Sequence, residues 1–211
     1  METARGTDGS PRYRGRYDKS FWDEYARSNE SRYDAGFAGR VAYTAGELRC
    51  ASVLEVGCGT GVDLRLVPDG VHVFGLDPNH MAVGAAREGV RSGCFARGMI
   101  TDMPFADSSI DLVFTHRLLN YLDEDTLAGG MREMYRVARK HVMSCEWSGA
   151  AEGAMDGRRT LRNMAERWAG MGAEVMADAP VYDAVAAAAT ELGADPPAET
   201  AETRMTLVRV S

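Results

Sequence analysis

The stretch VLEVGCGTG, Val53 to Gly61, places three glycines within five residues directly after a short apolar run. Such a run predicts a buried strand, and the residues after the glycines predict a helix over 61–67. The spacing is G-x-G-x-G, whereas the dinucleotide fingerprint G-x-G-x-x-G requires a glycine at position 62, where Val62 stands. The turn therefore predicts a backbone that approaches a bound group closely at a helix N-terminus, and it disfavours a nicotinamide oxidoreductase.

The chain beyond this turn alternates short apolar runs with amphipathic stretches, as βαβ units and parallel sheets do. We predict a Rossmann-like, doubly wound α/β fold with seven strands, mostly parallel, and helices on both faces. The predicted strands cover 52–57, 71–77, 93–98, 110–115, 141–147, 173–177 and 203–210. The predicted helices cover 61–67, 79–89, 124–139, 158–171 and 181–192.

The 211 residues suit one domain with its own core. Residues 1–10 are small and polar and predict a disordered tail. Residues 11–50 carry aromatic side chains at helical spacing, which predicts two helices that form an N-terminal helical cap or pack on the sheet. Residues 51–211 then form the Rossmann-like core of the same domain.

Composition narrows the class of protein. A net charge of −7 disfavours nucleic acid as a partner, because binding phosphates requires a basic surface. We find no secretory signal and no apolar run near the ~20 residues of a membrane span, so we expect a cytoplasmic protein, monomer or homodimer. The four cysteines form no CxxC pair, which predicts reduced thiols and no metal site.

An acidic residue follows the glycine turn at a spacing that indicates a ribose-binding carboxylate. Asp77 closes the second predicted strand, 20 residues after Gly57, where a carboxylate can accept hydrogen bonds from both hydroxyls of a ribose. The segments EVGCGTG, GLD, MPF and IDLV resemble the class I S-adenosylmethionine-dependent methyltransferases, over about residues 35–147. The resemblance implies S-adenosyl-L-methionine (SAM) as cofactor and S-adenosyl-L-homocysteine as product. It also implies that Gly57 and Gly59 let the backbone approach the amino-acid end of the cofactor, near Glu55.

The adenine end departs from the family pattern. Many members carry an acid directly after the glycine that ends the third strand, and Met99 stands there in this chain. We expect Met99 and Ile100 to line the adenine pocket, with Thr101 or Asp102 left for the adenine amino group. The predicted cofactor-binding residues are Glu55, Gly57, Cys58, Gly59, Gly61, Asp77, Pro78, Met99, Ile100, Thr101, Thr115, Tyr17 and Trp22, the last two as parts of a lid that excludes water.

Methyl transfer from a sulfonium is an in-line displacement that needs alignment and exclusion of water, and a base only for a hydroxyl acceptor. His116 is placed beside the expected methyl group, either as general base or as a group that packs on the cofactor. Glu146 is a candidate base or amine-binding group, with a purely structural role as the alternative. Tyr121 completes the catalytic candidates, although a pocket wall is its simpler interpretation.

Arginines supply nearly all of the positive charge and form two clusters, around 12–16 and around 158–162. They indicate either an anionic acceptor, held by bidentate contacts, or a solvated face. The predicted substrate-binding residues are Arg14, Arg16, Arg117, Trp147, Arg158 and Arg159.

The function that this pattern favours is methyl transfer to an oxygen or nitrogen of a small, polar, anionic metabolite, such as a sugar or a natural-product intermediate. The segments FWDEYARSN, DLVFTHRLLNYLDED and RVARKHVMSCEW also resemble, more loosely, methylases associated with pseudaminic-acid biosynthesis. The alternatives are a nucleic-acid or protein methyltransferase and a non-catalytic SAM-binding protein.

Overall fold

A seven-stranded sheet forms the centre of the structure, a computed structural model that describes residues 19–28, 33–149, 151–181 and 202–210. Its strands are β1 (Ser52–Val56), β2 (His72–Asp77), β3 (Gly93–Arg97), β4 (Ile110–His116), β5 (Ala138–Ser148), β8 (Glu174–Pro180) and β9 (Glu202–Arg209). A separate two-stranded hairpin holds β6 (Gly153–Ala154) and β7 (Thr160–Leu161). The sheet order is β3-β2-β1-β4-β5-β9-β8; β9 runs antiparallel to β5 and β8, and the other neighbouring strands pair in parallel. The predicted fold class is confirmed.

Strands β1 and β4 lie in the middle of the sheet, and all five residues of β1 are buried. A central parallel strand is covered by helices on both faces, so its sequence is continuously apolar rather than alternating. This explains the run from Val53 to Val56, in which Glu55 is the one charged residue and requires a functional or structural reason.

Five helices accompany the strands: α1 (Lys19–Arg27), α2 (Ala35–Glu47), α3 (His80–Gly89), α4 (Glu124–Val137) and α5 (Met164–Gly170). Helices α2 and α3 pack on one face of the sheet, through residues such as Phe37 and Val83, and α4 and α5 pack on the other, through Met131 and Trp168. Among the described residues, these helices are all too short or too polar to cross a bilayer.

Several predicted boundaries were wrong. In place of the helix over 61–67 the chain makes only a short 3-10 helix, Val62–Leu64, so the glycine turn does not open an α-helix. The helix predicted over 158–171 is confined to Met164–Gly170, and the residues before it belong to the β6–β7 hairpin. Strand β5 begins at Ala138, three residues before the predicted strand over 141–147. The early start is possible because the charges of Arg139 and Lys140 pair with Asp111 of β4. The predicted tail over 1–10 lies outside the described residues, as does nearly all of the helix over 181–192.

Candidate functional site

A cavity opens at the carboxyl ends of the central strands, where the order of the sheet reverses between β1 and β4. Ligands of open α/β sheets bind at this switch point. The loops after β1, β2, β3 and β4 line the cavity, and α1 covers one side. The lining includes Trp22, Tyr25, Glu55, Gly57, Cys58, Gly59, Asp63, Asp77, Pro78, Asn79, Met99, Ile100, His116, Arg117, Leu118 and Tyr121.

The glycine turn follows β1 and forms the floor of this cavity. Gly57, Gly59 and Gly61 have φ angles of 75°, 52° and 74°, in the left-handed region that favours glycine. A Cβ atom at Gly57 would lie 2.8 Å from a methyl carbon of Leu118. The turn thus has no room for a side chain at position 57. The backbone of Gly57 and Gly59 lines the cavity, whereas Gly61 shapes the turn from outside the cavity wall.

Asp77 ties the glycine turn to the end of β2. Its carboxylate accepts hydrogen bonds from the backbone N–H of Gly59 at 3.0 Å and of Asn79 at 2.7 Å. Burial raises the pKa of Asp77 to about 6, and these two hydrogen bonds oppose that rise. Because a carboxylate offers about four acceptor positions, Asp77 keeps capacity for hydroxyl donors in the cavity.

Glu55 lies deeper, 2% exposed, where β1 enters the turn. Burial and the nearby Asp63 carboxylate raise the pKa of Glu55 well above its usual value. Its Oε2 atom is buried and has no hydrogen-bond partner among the residues that the structure describes. Buried polar atoms are almost always paired, so this orphaned acceptor fits a donor supplied by a ligand, such as an ammonium group.

The loop after β3 forms a mostly apolar wall. Gly98, Met99 and Ile100 line the cavity, and the N–H of Asp102 donates to the carbonyl of Met99 at 3.1 Å. Thr101 and Asp102 are both exposed and lie outside the cavity wall. The cavity therefore offers a flat ring apolar surface and backbone groups here, rather than a carboxylate.

His116 ends β4 and faces both the cavity and α2. Its Nδ1 lies 2.7 Å from Oδ2 of Asp63. Its ring stacks on Phe37 of α2, with a centroid distance of 3.7 Å and an interplanar angle of 21°. The imidazole is thus oriented by contacts on two sides and has little rotational freedom.

Glu146, in β5, lies behind the cavity wall and is 1% exposed. Its Oε1 accepts from the Thr115 hydroxyl at 2.9 Å and from the N–H of Leu118 at 3.3 Å, while Oε2 accepts from the N–H of Leu119 at 3.0 Å. Burial raises the pKa of Glu146 to about 7, and these hydrogen bonds lower it. The geometry makes Glu146 a support for the loop after β4, and Thr115 is likewise fully buried outside the cavity wall.

An aromatic series runs from α1 across the cavity mouth. Ring centroids are 5.5 Å apart for Trp22 and Tyr121, and 6.2 Å apart for Tyr121 and Trp147. Helix α1 has no buried residue of its own, and Asp23 accepts a hydrogen bond from the Asn79 side chain at 3.0 Å. Helix α1 therefore covers the cavity through aromatic contacts and this one described link to α3.

Arginines surround the outer end of that series. The guanidinium of Arg117 lies 5.0 Å from the Trp147 ring centroid, and that of Arg159 lies 4.5 Å from it. Arg158 approaches the ring of Phe21 at 5.6 Å. Arg159 also forms an ion pair with Asp156 at 2.6 Å, so part of its charge is already neutralised.

Arg162 differs from its neighbours in the same cluster. It is 2% exposed, forms an ion pair with Glu124 and donates to the carbonyl of Leu122 at 2.7 Å. This side chain fastens the segment after β7 to the start of α4 and is not available to a ligand. The predicted site residues Arg14, Arg16 and Tyr17 lie outside the described residues.

Asp63 and Asn79 are two residues of the cavity wall that escaped the sequence analysis. Asp63 follows the glycine turn by two residues, and the helix predicted there concealed its position facing His116. Asn79 caps α3 by accepting from the N–H of Met81 at 2.8 Å. The DPN sequence, in which an asparagine precedes a predicted helix, was the available signal for this cap.

Comparisons with known proteins agree with this geometry. Residues 53–141 match a family model described as a methyltransferase domain. An uncharacterized methyltransferase of Mycolicibacterium gilvum is 35% identical over 101 residues, 46% of this chain and 39% of that protein. The demethylmenaquinone methyltransferase of Roseiflexus is 36% identical over 96 residues, 43% of this chain and 39% of that protein.

A solved structure extends the likeness along the chain. A SAM-dependent methyltransferase from Aquifex aeolicus shares the fold with a TM-score of 0.63 and 17% identity, over 93% of this chain and 100% of that one. This chain spans less than half the length of the two curated relatives.

Proposed function

We propose that this chain, a member of the class I SAM-dependent methyltransferases, transfers a methyl group to an oxygen or nitrogen of a small, polar, anionic molecule. Its methyltransferase domain covers residues 53–141. The observation that carries the proposal is one cavity that joins the glycine turn and Asp77 to His116 and Arg117. The cytoplasmic location and the likeness to pseudaminic-acid-associated methylases stay predictions.

The residues of the cavity fit SAM along its length. The orphaned Oε2 of Glu55 suits the ammonium group, and the backbone at Gly57 and Gly59 suits the amino-acid tail. Asp77 has acceptor capacity for the ribose hydroxyls, and Met99 and Ile100 provide apolar surface for adenine. When bound, SAM supplies a methyl group on a sulfonium, whose carbon–sulfur bond breaks with its electron pair staying on sulfur.

The acceptor side of the cavity supports an anionic substrate. Arg117 lines the cavity, and Arg159 approaches the same Trp147 ring, so two guanidinium groups lie at one edge. Guanidinium groups suit carboxylate and phosphate because they donate two parallel hydrogen bonds. The name of the Roseiflexus relative, a demethylmenaquinone methyltransferase, also favours a small molecule over a macromolecule.

The test is release of S-adenosyl-L-homocysteine from SAM by the purified chain, with matched panels of carboxylated or phosphorylated acceptors and their neutral analogues. We expect turnover with members of the anionic panel. With the best acceptor, Arg117→Ala should raise KM at least about tenfold, a loss of ~1.4 kcal/mol in acceptor binding. Arg91→Ala, which changes an exposed arginine outside the cavity wall, serves as the control. Equal KM values for wild type and Arg117→Ala would refute the anionic acceptor.

A further inference from the structure

The pair formed by Asp63 and His116 links two segments that are 53 residues apart in the chain. Asp63 belongs to the 3-10 helix after the glycine turn, and His116 ends the neighbouring strand β4. Both side chains line the cavity, and they are 9% and 12% exposed, so water screens their 2.7 Å contact weakly. The pair is therefore part of the cavity wall and not a surface ion pair.

Two contacts determine the orientation of the imidazole. Nδ1 lies 2.7 Å from Oδ2 of Asp63, and because a carboxylate accepts hydrogen bonds and does not donate them, this contact favours the tautomer with its proton on Nδ1. Phe37 stacks on the ring and holds its plane. The carboxyl group of Glu55 also interacts with Asp63, and this interaction contributes to the raised pKa of Glu55.

The second ring nitrogen has no protein partner where one is expected. The Nε2 atom of His116 is buried and makes no hydrogen bond to any residue in the described part of the chain. In the tautomer that Asp63 favours, Nε2 carries a lone pair and no proton. A buried acceptor of this kind, on a side chain that lines the ligand cavity, suits a proton donor on the ligand.

We propose that Asp63 is a positioning residue that holds His116 as the Nδ1–H tautomer, so that Nε2 accepts the proton of an acceptor hydroxyl. This inference rests on the proposed function and narrows its acceptor to a hydroxyl. The O–H bond breaks, its proton moves to Nε2, and its electron pair stays on oxygen to form the new bond to the methyl carbon. The resulting imidazolium is stabilised by the Asp63 carboxylate, whereas a carboxylate acceptor would need no such base.

Nuclear magnetic resonance of the protein alone reads the tautomer directly. The chain is labelled with ¹⁵N-histidine and recorded at increasing pH until the imidazole ¹⁵N shifts stop changing, so that the neutral ring is observed. His116→Gln assigns the His116 signals among the four histidines. We expect Nδ1 to be protonated and Nε2 to be unprotonated in the wild-type chain. A proton on Nε2 overturns the proposal.

Asp63→Asn tests the role of the carboxylate. The asparagine amide can donate to Nδ1, so we expect the His116 signal to move at least partly to the Nε2–H tautomer, while Asp69→Asn, at an exposed site, leaves it unchanged. An unchanged His116 tautomer in folded Asp63→Asn would refute the positioning role, and the wild-type spectrum decides alone if that variant does not fold. Binding of SAM to the wild-type chain is measured separately, so failure of the proposed function is distinguished from failure of this inference.

Discussion

Replacing Glu146 with glutamine should change how stability depends on pH. Glu146 is enclosed in β5 and supports the loop after β4 through three hydrogen bonds from Thr115, Leu118 and Leu119. Burial outweighs these bonds and raises its pKa from 4.5 to about 7. The native state therefore holds this proton more tightly than the unfolded chain does, and ionising Glu146 costs stability.

The difference in pKa between the native and unfolded states determines how the unfolding free energy changes with pH. Between pH 4.5 and about 7 the native state binds more protons than the unfolded state, so the contribution of Glu146 to the unfolding free energy falls as pH rises and is constant above that window. At ~1.4 kcal/mol per pKa unit, the full change is about 3 kcal/mol, of which about 2 to 3 kcal/mol lies between pH 5 and pH 8. Glutamine does not ionise, so Glu146→Gln lacks this change.

The assay is urea unfolding of wild type and Glu146→Gln at several pH values, followed by tryptophan fluorescence. The wild-type advantage in unfolding free energy should shrink by about 2 to 3 kcal/mol from pH 5 to pH 8. Taking the difference between the two proteins cancels other titrating groups, including Asp77. Glu88→Gln, at an exposed site on α3, is the control and should track wild type. A difference between wild type and Glu146→Gln that stays constant with pH would refute the enclosed position of this carboxyl group.

Three further changes test other parts of the site. Cys58→Ala should keep SAM affinity, measured by calorimetry, within about twofold, because burial raises the pKa of the thiol well above its usual value and leaves it protonated and unreactive. Gly57→Ala should lower the unfolding free energy by about 1–3 kcal/mol and abolish measurable SAM binding, because its φ of 75° and the 2.8 Å approach to Leu118 both oppose a Cβ atom; normal binding would contradict this. Asp23→Ala should speed trypsin cleavage after Lys19 and Arg27 severalfold, because it removes a described link of α1 to Asn79, and unchanged cleavage would argue against that link.

The seven strands of the large sheet were predictable because buried parallel strands leave continuous apolar runs, separated by amphipathic helices. The glycine turn and Asp77 were predictable from spacing along the chain. The helix over 61–67 was wrong because Pro68, Asp69 and Gly70 follow within a few residues and stop it after one 3-10 turn.

Contacts between distant segments could not be predicted from the sequence. The contact between Asp63 and His116 joins residues 53 apart, and no local pattern marks two such side chains as neighbours. Glu146 was a candidate base because it stands at the carboxyl end of the fifth predicted strand, yet backbone N–H groups of the loop after β4 donate hydrogen bonds to its oxygens. Arg162 stood in a cluster of arginines, and only its burial against Glu124 separates it from the arginines beside Trp147.

Calorimetric titration of SAM into the purified chain tests most directly whether the glycine turn and Asp77 hold SAM. We expect wild type and Asp69→Ala, which changes an exposed carboxylate outside the cavity wall, to bind SAM with equal affinity. Asp77→Ala should weaken binding at least about tenfold, because it removes the ribose acceptor and leaves the N–H groups of Gly59 and Asn79 without their partner, at ~1 kcal/mol or more for each lost bond. No SAM binding by wild type, or equal affinity for wild type and Asp77→Ala, would contradict the account.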